Sequence, residues 1–137
     1  MRRIFALLAL VAAPAAAQPP ALEAGRMWHC SFTEQLRCDP GTACLPTDRN
    51  VRTFLDPPGG RYITCTNGRD ECIAQPARFT TWGTRLLAQV DGGTVVKLAQ
   101  NLEATGVATI GPIVFIERGR CTPGPAPTGR IFPLRTG

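Results

Sequence analysis

Short runs of mixed apolar and polar residues, separated by turn-forming residues, make up most of the chain. VRTFLD at 51–56 is followed by a Pro-Pro-Gly-Gly turn and then by RYITCT at 61–66, which predicts a β-hairpin. TRLLAQV at 84–90 and TVVKLAQ at 94–100 flank an Asp-Gly-Gly turn and predict a second hairpin. Both patterns favour antiparallel strands joined by tight turns.

Three further segments complete a predicted meander of about seven strands. MWHCSF at 27–32 is the first strand, while EATGVATI at 103–110 and IVFIERGRC at 113–121 form the last hairpin around a Gly-Pro turn. Only TEQLRC at 33–38 could form a helical turn. The predicted fold class is therefore all-β, an antiparallel β-meander.

Apolar residues occupy both faces of several predicted strands. Leu86 and Leu87 are adjacent, as are Val95 and Val96. Because a sheet with one solvated face would alternate more regularly, we expect the meander to close into a barrel or a sandwich. Closure removes exposed sheet edges and brings the first and last strands together.

The chain contains six cysteines and one histidine, and their spacing favours disulfides over a metal site. Structural zinc sites depend on closely spaced thiolates such as C-x-x-C, and this pattern does not occur. His29 alone could not complete a coordination shell beside oxidised cysteines. We therefore expect three disulfides, no metal ion and no other cofactor.

Several pairings of six cysteines are compatible with the sequence. We expect two local bridges and one long bridge that joins the first strand to the last. The expected pairs are Cys38–Cys44, Cys65–Cys72 and Cys30–Cys121.

The amino terminus has the three parts of a secretory signal peptide. Arg2 and Arg3 form a positive start, an apolar run follows at 4–13, and Pro14 precedes three alanines. The run of about ten residues is too short to cross a bilayer core of about 30 Å as a helix. We expect cleavage near Ala17, a periplasmic or secreted location and no membrane span.

The 137-residue chain is long enough for one domain after the signal peptide. We expect the Pro/Gly-rich tail to lie loosely over the barrel, with Ile131, Phe132 and Leu134 covering an apolar patch. The predicted divisions are a signal peptide at 1–17, a linker at 18–25, a disulfide-bonded β domain at 26–121 and the tail at 122–137.

Basic residues exceed acidic residues by a small margin. Without Arg2 and Arg3, thirteen basic residues remain against ten acidic residues, a net charge of +3. They are scattered rather than clustered on one face, so we expect no nucleic-acid binding. An envelope protein or an anionic envelope polymer is the expected kind of partner.

The candidate catalytic residues have unsuitable geometry. Ser31 and His29 face the same side of a predicted strand, but about 7 Å separates such side chains, too far for a direct nucleophile–base hydrogen bond. Asp70 and Glu71 are adjacent on a turn, whereas glycosidase carboxylates face each other across a cleft. We expect no enzymatic activity.

The segment between Cys65 and Cys72 is the candidate binding loop. Its Asn-Gly pair favours a sharp reversal, and a disulfide would restrict the unbound loop and lower the ordering cost of binding. Arg69 could contact acidic groups, Asn67 could supply amide hydrogen bonds, and Asp70 lies beside them. The alternative is an ordinary hairpin tip.

Trp28-x-Cys30 at the start of the β domain and Gly-Arg-Cys121 at its end resemble the layout of small disulfide-bonded periplasmic β-proteins of proteobacteria. This layout also resembles the barrel inhibitors of C-type lysozymes, which carry an aromatic-x-Cys strand at the start of their domain. Their Ser-Gly-x-x-Tyr stretch is missing, because the single serine, Ser31, and the single tyrosine, Tyr62, lie far apart.

The primary functional expectation is an exported, non-enzymatic binding or interaction protein of the bacterial envelope. The resemblance implies one alternative, an inhibitor of a secreted hydrolase such as lysozyme. A second alternative is a small-ligand-binding barrel, which requires a cavity. Phe54, Phe79 and Trp82 could line such a cavity, although we expect them in the core.

Overall fold

A computed structural model describes Leu22 and residues 25–134. The predicted signal peptide, its cleavage near Ala17, most of the linker and residues 135–137 lie outside the described residues. The described part of the chain contains ten β-strands and no helix. The strands are β1 (Trp28–Cys38), β2 (Leu45–Pro46), β3 (Val51–Asp56), β4 (Arg61–Thr66), β5 (Glu71–Trp82), β6 (Arg85–Val90), β7 (Thr94–Leu98), β8 (Glu103–Ile110), β9 (Ile113–Pro123) and β10 (Arg130–Pro133).

Eight strands form a closed antiparallel barrel. From β3 to β9 each strand pairs with the next, and β1 pairs with both β3 and β9. Two short strands add to this ring: β2 pairs with β1, and β10 pairs in parallel with β5. The expected all-β, disulfide-bonded antiparallel meander is confirmed, and its closure takes the form of a barrel.

The first strand is longer than its sequence pattern indicated. The helical turn considered for residues 33–38 is wrong, because β1 continues through them to Cys38. A register shift between Phe32 and Glu34 places a bulge in the strand, after which it remains paired with β9. The bulge explains why the alternation of apolar and polar residues is broken there.

The longest strand, β5, was not identified from the sequence. Pro76 interrupts the apolar pattern of Glu71–Trp82, and a proline cannot donate a ladder hydrogen bond. It is accommodated because it lies where β5 changes partner: Pro76 faces Arg61 on β4, and the next residue faces Val90 on β6. This change of partner allows one bent strand to complete the ring.

The main apolar core fills the barrel. Leu55, Leu86, Val96 and Leu98 are fully buried there, and each such side chain contributes about 1.5–3 kcal/mol relative to an exposed one. Trp28 packs in the same cluster. The inward positions follow the two-residue period of the strands, so the residues between them face outward.

The carboxyl-terminal tail covers part of the outside of the barrel. Within the tail, Gly124 lies beside His29 and Gly129 lies beside Cys72. The chain then forms β10 next to β5. Residues 130–133 of the tail therefore form a paired strand rather than a loosely lying segment. Ile131 packs on an outer apolar cluster, whereas Phe132 and Leu134 remain exposed. The outer cluster comprises Phe54, Ile63, Cys65, Cys72 and Ala74.

All six cysteines form disulfides, in the same three pairs that their spacing led us to expect. The bond between Cys30 and Cys121 joins facing residues of β1 and β9, whose Cα atoms are 3.9 Å apart. Since 91 positions separate these residues in sequence, this bond fastens the ring where its first and last strands meet.

Removal of the long disulfide should destabilise the protein more than removal of a short one. In the chain-entropy model, Cys30→Ala/Cys121→Ala lowers the free energy of unfolding by about 4.6 kcal/mol, and Cys38→Ala/Cys44→Ala by about 2.4 kcal/mol. Urea unfolding of both variants measures the difference. An equal or larger loss in the short-loop variant would contradict the closing role of Cys30–Cys121.

Candidate functional site

A row of exposed apolar side chains crosses the outer face of the barrel. Its members face one another in consecutive strand ladders from β2 through β1, β9 and β8 to β7. All are exposed, the last four to between 36% and 41%. In order, this apolar row consists of Pro46, Leu36, Ile116, Val107 and Val95.

The apolar row follows from strand alternation. On β9, Glu117 faces into the barrel, so its neighbour Ile116 faces out; on β1, Gln35 faces in and Leu36 faces out. Directly facing side chains lie about 5 Å apart, and strands about 4.8 Å apart extend the row over about 19 Å. Single exposed apolar residues are ordinary, whereas a contiguous set is a candidate interaction surface.

A row of mostly polar side chains borders the apolar row. Glu34 faces Arg118, Arg118 faces Thr105, and Thr105 faces Lys97, in the same ladders of β1, β9, β8 and β7. Two of these four residues are basic and one is acidic. The outer face therefore combines an apolar centre with a weakly basic border.

A groove of about 600 Å³ lies at the β1 end of the apolar row. Leu36, Pro46 and Ile116 contribute its apolar side, while Glu34 and Arg118 contribute its charged side. It lies beside the bulge of β1, where the register with β9 shifts. This groove is a concave feature of the barrel surface next to exposed apolar residues.

The candidate binding loop forms the turn between β4 and β5, and two neighbouring segments hold it. The Nδ2 atom of Asn67 donates to Oδ1 of Asn50 at 3.0 Å, and the amide of Arg130 donates to the carbonyl oxygen of Asp70 at 2.7 Å. Arg69 is exposed between them. The three candidate residues therefore share one turn. Of the three, Arg69 is the one that forms no hydrogen bond with either of these neighbouring segments.

The histidine and the aromatic residues considered from the sequence are distributed over separate surfaces. His29 stacks on Phe54 outside the barrel, with ring centroids 4.8 Å apart. Burial, and secondarily the charge of Arg52, lower the pKa of His29. Trp82 is 76% exposed, whereas Phe79 packs against the inner core. Phe54, Phe79 and Trp82 therefore do not line a common cavity.

A buried polar network occupies one end of the barrel interior. Glu117 is only 1% exposed, and Nη1 of Arg49 donates to its Oε1 atom at 2.9 Å. Gln35 connects both partners: its Oε1 accepts from the backbone amide of Arg49 at 2.7 Å, and its Nε2 donates to Glu117 at 3.4 Å. The Arg49 guanidinium also lies 5.1 Å from the ring centroid of Phe115.

Sequence reasoning missed this network. The available signal was Glu117 itself, one acidic residue directly after the apolar run Ile-Val-Phe-Ile. A charged residue at an inward position must be paired, because an isolated buried charge is very costly. The identity of the partner, Arg49, depends on a loop before β3 that carries no periodic pattern.

Tyr62 lies near this network with a buried hydroxyl. The residue is 2% exposed, and its hydroxyl has no hydrogen-bond partner among the described residues. Burial raises the pKa of Tyr62, and the negative charge of Glu117 raises it further. Arg49 and Thr53 lie near enough to oppose this shift in part, although neither meets hydrogen-bond geometry with the hydroxyl.

Comparison of the chain with protein-family models, curated proteins and solved structures gives no match. No helix within residues 25–134 is long and apolar enough to cross a membrane. The same residues contain no group of three or more metal-ligating side chains. Interpretation of the site therefore depends on its own geometry.

The ionisation of Tyr62 should occur above its ordinary pKa of about 10. Tyr62 is the only tyrosine, so the ultraviolet absorbance of phenolate reports this residue alone. Glu117→Gln should lower the titration midpoint because it removes the negative charge that disfavours phenolate, whereas Glu103→Gln on the outer face should leave it unchanged. A midpoint unaffected by Glu117→Gln would contradict the proposed coupling.

The same shift predicts a loss of stability at high pH. Because the folded pKa of Tyr62 is raised above its unfolded value, the stabilisation from the neutral phenol is complete below about pH 10 and is lost as pH rises through the folded pKa. Urea unfolding at a series of alkaline pH values measures this loss. It should become smaller in Tyr62→Phe, which cannot ionise.

Proposed function

We propose that the protein is an exported, non-enzymatic binding protein of the bacterial envelope that contacts a protein partner through the apolar row and the adjoining groove. The observation that carries this proposal is the contiguity of the row, which joins five strands through directly facing side chains. Water-exposed apolar rows of this kind are stabilised when a partner covers them.

The expected partner surface follows from the chemistry of the row and its border. An apolar ridge on the partner would cover Leu36, Ile116 and Val107, and acidic side chains at its edge would face Arg118 and Lys97. A stable interface of standard size covers about 800 Å² on each partner, so contacts must extend from the row into the groove.

The rigidity of the barrel favours binding without a large conformational cost. Strands β1 and β9, which carry Leu36 and Ile116, are paired along their length and covalently joined by a disulfide. A surface already held in its binding conformation loses little conformational entropy when a partner docks. Affinity then depends mainly on the apolar contacts at the centre of the row.

A second candidate function is inhibition of a secreted hydrolase such as a C-type lysozyme, by insertion of the candidate binding loop into the hydrolase cleft. The observation that favours it is the exposure of Arg69 on a turn braced by Cys65–Cys72. A guanidinium there could pair with the acidic groups of a hydrolase cleft. This candidate uses a different surface from the apolar row.

Charge introduced into the apolar row should abolish partner binding. A photo-crosslinking amino acid at Val95 in intact cells should yield a crosslinked envelope protein, and Ile116→Asp should remove that product because an unpaired carboxylate would be buried. Thr80→Asp, an exposed change on β5, is the matched control and should preserve the product. Absence of any heterologous crosslink at Val95, or persistence of the product in Ile116→Asp, would contradict the proposal.

A lysozyme assay separates the two candidate functions. Binding through the apolar row alone predicts full activity of a C-type lysozyme in the presence of excess protein. The inhibitor function predicts loss of lysozyme activity, with the inhibition weakened at least about tenfold by Arg69→Ala through loss of charge-assisted hydrogen bonds. Arg78→Ala on β5 serves as the control for a general loss of positive charge.

A further inference from the structure

One end of the barrel opens into a pocket that neither candidate function uses. Its volume is about 230 Å³, smaller than the roughly 300–1,000 Å³ of sites for drug-sized ligands. We call it the mouth pocket. Its polar lining comes mainly from Arg49, Tyr62, Thr64, Gln75 and Asp91.

The inner wall of the mouth pocket is built from paired strands. Tyr62 on β4 and Gln75 on β5 face each other in the ladder, and Thr64 lies two residues along β4 on the same face. The Tyr62 side chain forms part of this wall, while its hydroxyl oxygen is buried from solvent and has no hydrogen-bond partner among the described residues. A buried hydroxyl left without any partner is energetically costly.

Arg49 also lines the mouth pocket, and three contacts hold it in place. Its Nη1 atom binds Glu117, its backbone amide binds Gln35, and its guanidinium lies over Phe115. These contacts use one guanidinium nitrogen in a hydrogen bond, and the side chain still lines the mouth pocket. Because Glu117 compensates the charge of Arg49, the deep part of the pocket has little net charge.

The rim of the pocket carries an acceptor in a fixed turn. Asp91 begins the turn between β6 and β7, its amide donates to the carbonyl oxygen of Pro76 at 3.2 Å, and the turn accepts a hydrogen bond from Thr109. An anion in the pocket would face Asp91, while the positive charge of Arg49 is compensated by its ion pair with Glu117. The charge pattern therefore disfavours anionic ligands and favours neutral molecules that donate hydroxyl hydrogen bonds.

The remaining lining is apolar. Ala108, Ile110 and Leu134 form this part of the pocket, the last being contributed by the tail. Polar groups on one side and an apolar surface on the other match the hydroxyl edge and the C–H face of a sugar ring. The volume is consistent with about one such ring rather than a chain of them.

We propose that the mouth pocket binds a small neutral polyhydroxylated molecule the size of one sugar ring, with hydroxyls contacting Arg49 in the wall and Asp91 at the rim, next to the Tyr62 side chain. Thr64 and Gln75 supply further hydrogen-bonding groups beside Tyr62. Asp91 accepts from the ligand, whereas Arg49 donates to it. This site is separate from the apolar row and does not depend on the proposed protein partner.

The single tyrosine allows a direct test. Protein labelled with ¹³C in the tyrosine ring is titrated with glucose, galactose, ribose and N-acetylglucosamine, and the resonances of Tyr62 are followed. We expect a saturable shift with at least one sugar and none with sodium phosphate or sodium acetate. Saturation by an anion, or no saturable shift with any of the four sugars, would overturn the proposal.

Variants then locate the site. Asp91→Asn keeps the Tyr62 reporter and should weaken sugar binding about tenfold, because a charged acceptor is replaced by a neutral one. Asp70→Asn, on the candidate binding loop, is the matched control and should bind as the unaltered protein does. Unchanged affinity of Asp91→Asn, or a crystal structure in saturating sugar with no sugar in the mouth pocket, would overturn the assignment.

Discussion

The pairing of β1 with β9 is the interaction on which the other features depend. It joins the two ends of the meander, and the Cys30–Cys121 bond holds that junction covalently. Close approach at the β1 bulge requires Gly119, because a Cβ atom there would collide with the carbonyl oxygen of Ser31. From this junction the register directs Gln35 inward and Leu36 outward, and so determines both the buried polar network and the exposed apolar row.

In β9, one polar residue lies inside the barrel and its apolar neighbour lies outside, the reverse of the usual arrangement in a soluble barrel. Glu117 is buried while its neighbour Ile116 is exposed, although a one-residue change of register would exchange them. The buried carboxylate is tolerated because Arg49 and Gln35 hydrogen-bond to it. A buried ion pair often stabilises less than apolar residues of similar volume, whereas loss of one partner leaves the other charge buried and is strongly destabilising.

Local sequence patterns predicted the hairpins well, because their turns carry Gly, Pro and Asp residues with strong conformational preferences. Cysteine spacing likewise indicated the disulfide pairs. By contrast, β5 was missed because Pro76 breaks its pattern, and the end of β1 was misassigned because a bulge disrupts its alternation. The apolar row and the mouth pocket could not be predicted, since each brings together residues from different strands whose facing depends on register.

Closure between the ends of the chain also constrains the order of events in biogenesis. Strand β9, which closes the ring on β1, follows all the other barrel strands in sequence, and 91 positions separate Cys30 from Cys121. An emerging polypeptide therefore cannot complete the ring until β9 has left the ribosome. Until then, hairpins such as β3–β4 and β6–β7 can form but retain unpaired edges, and such edges favour aggregation.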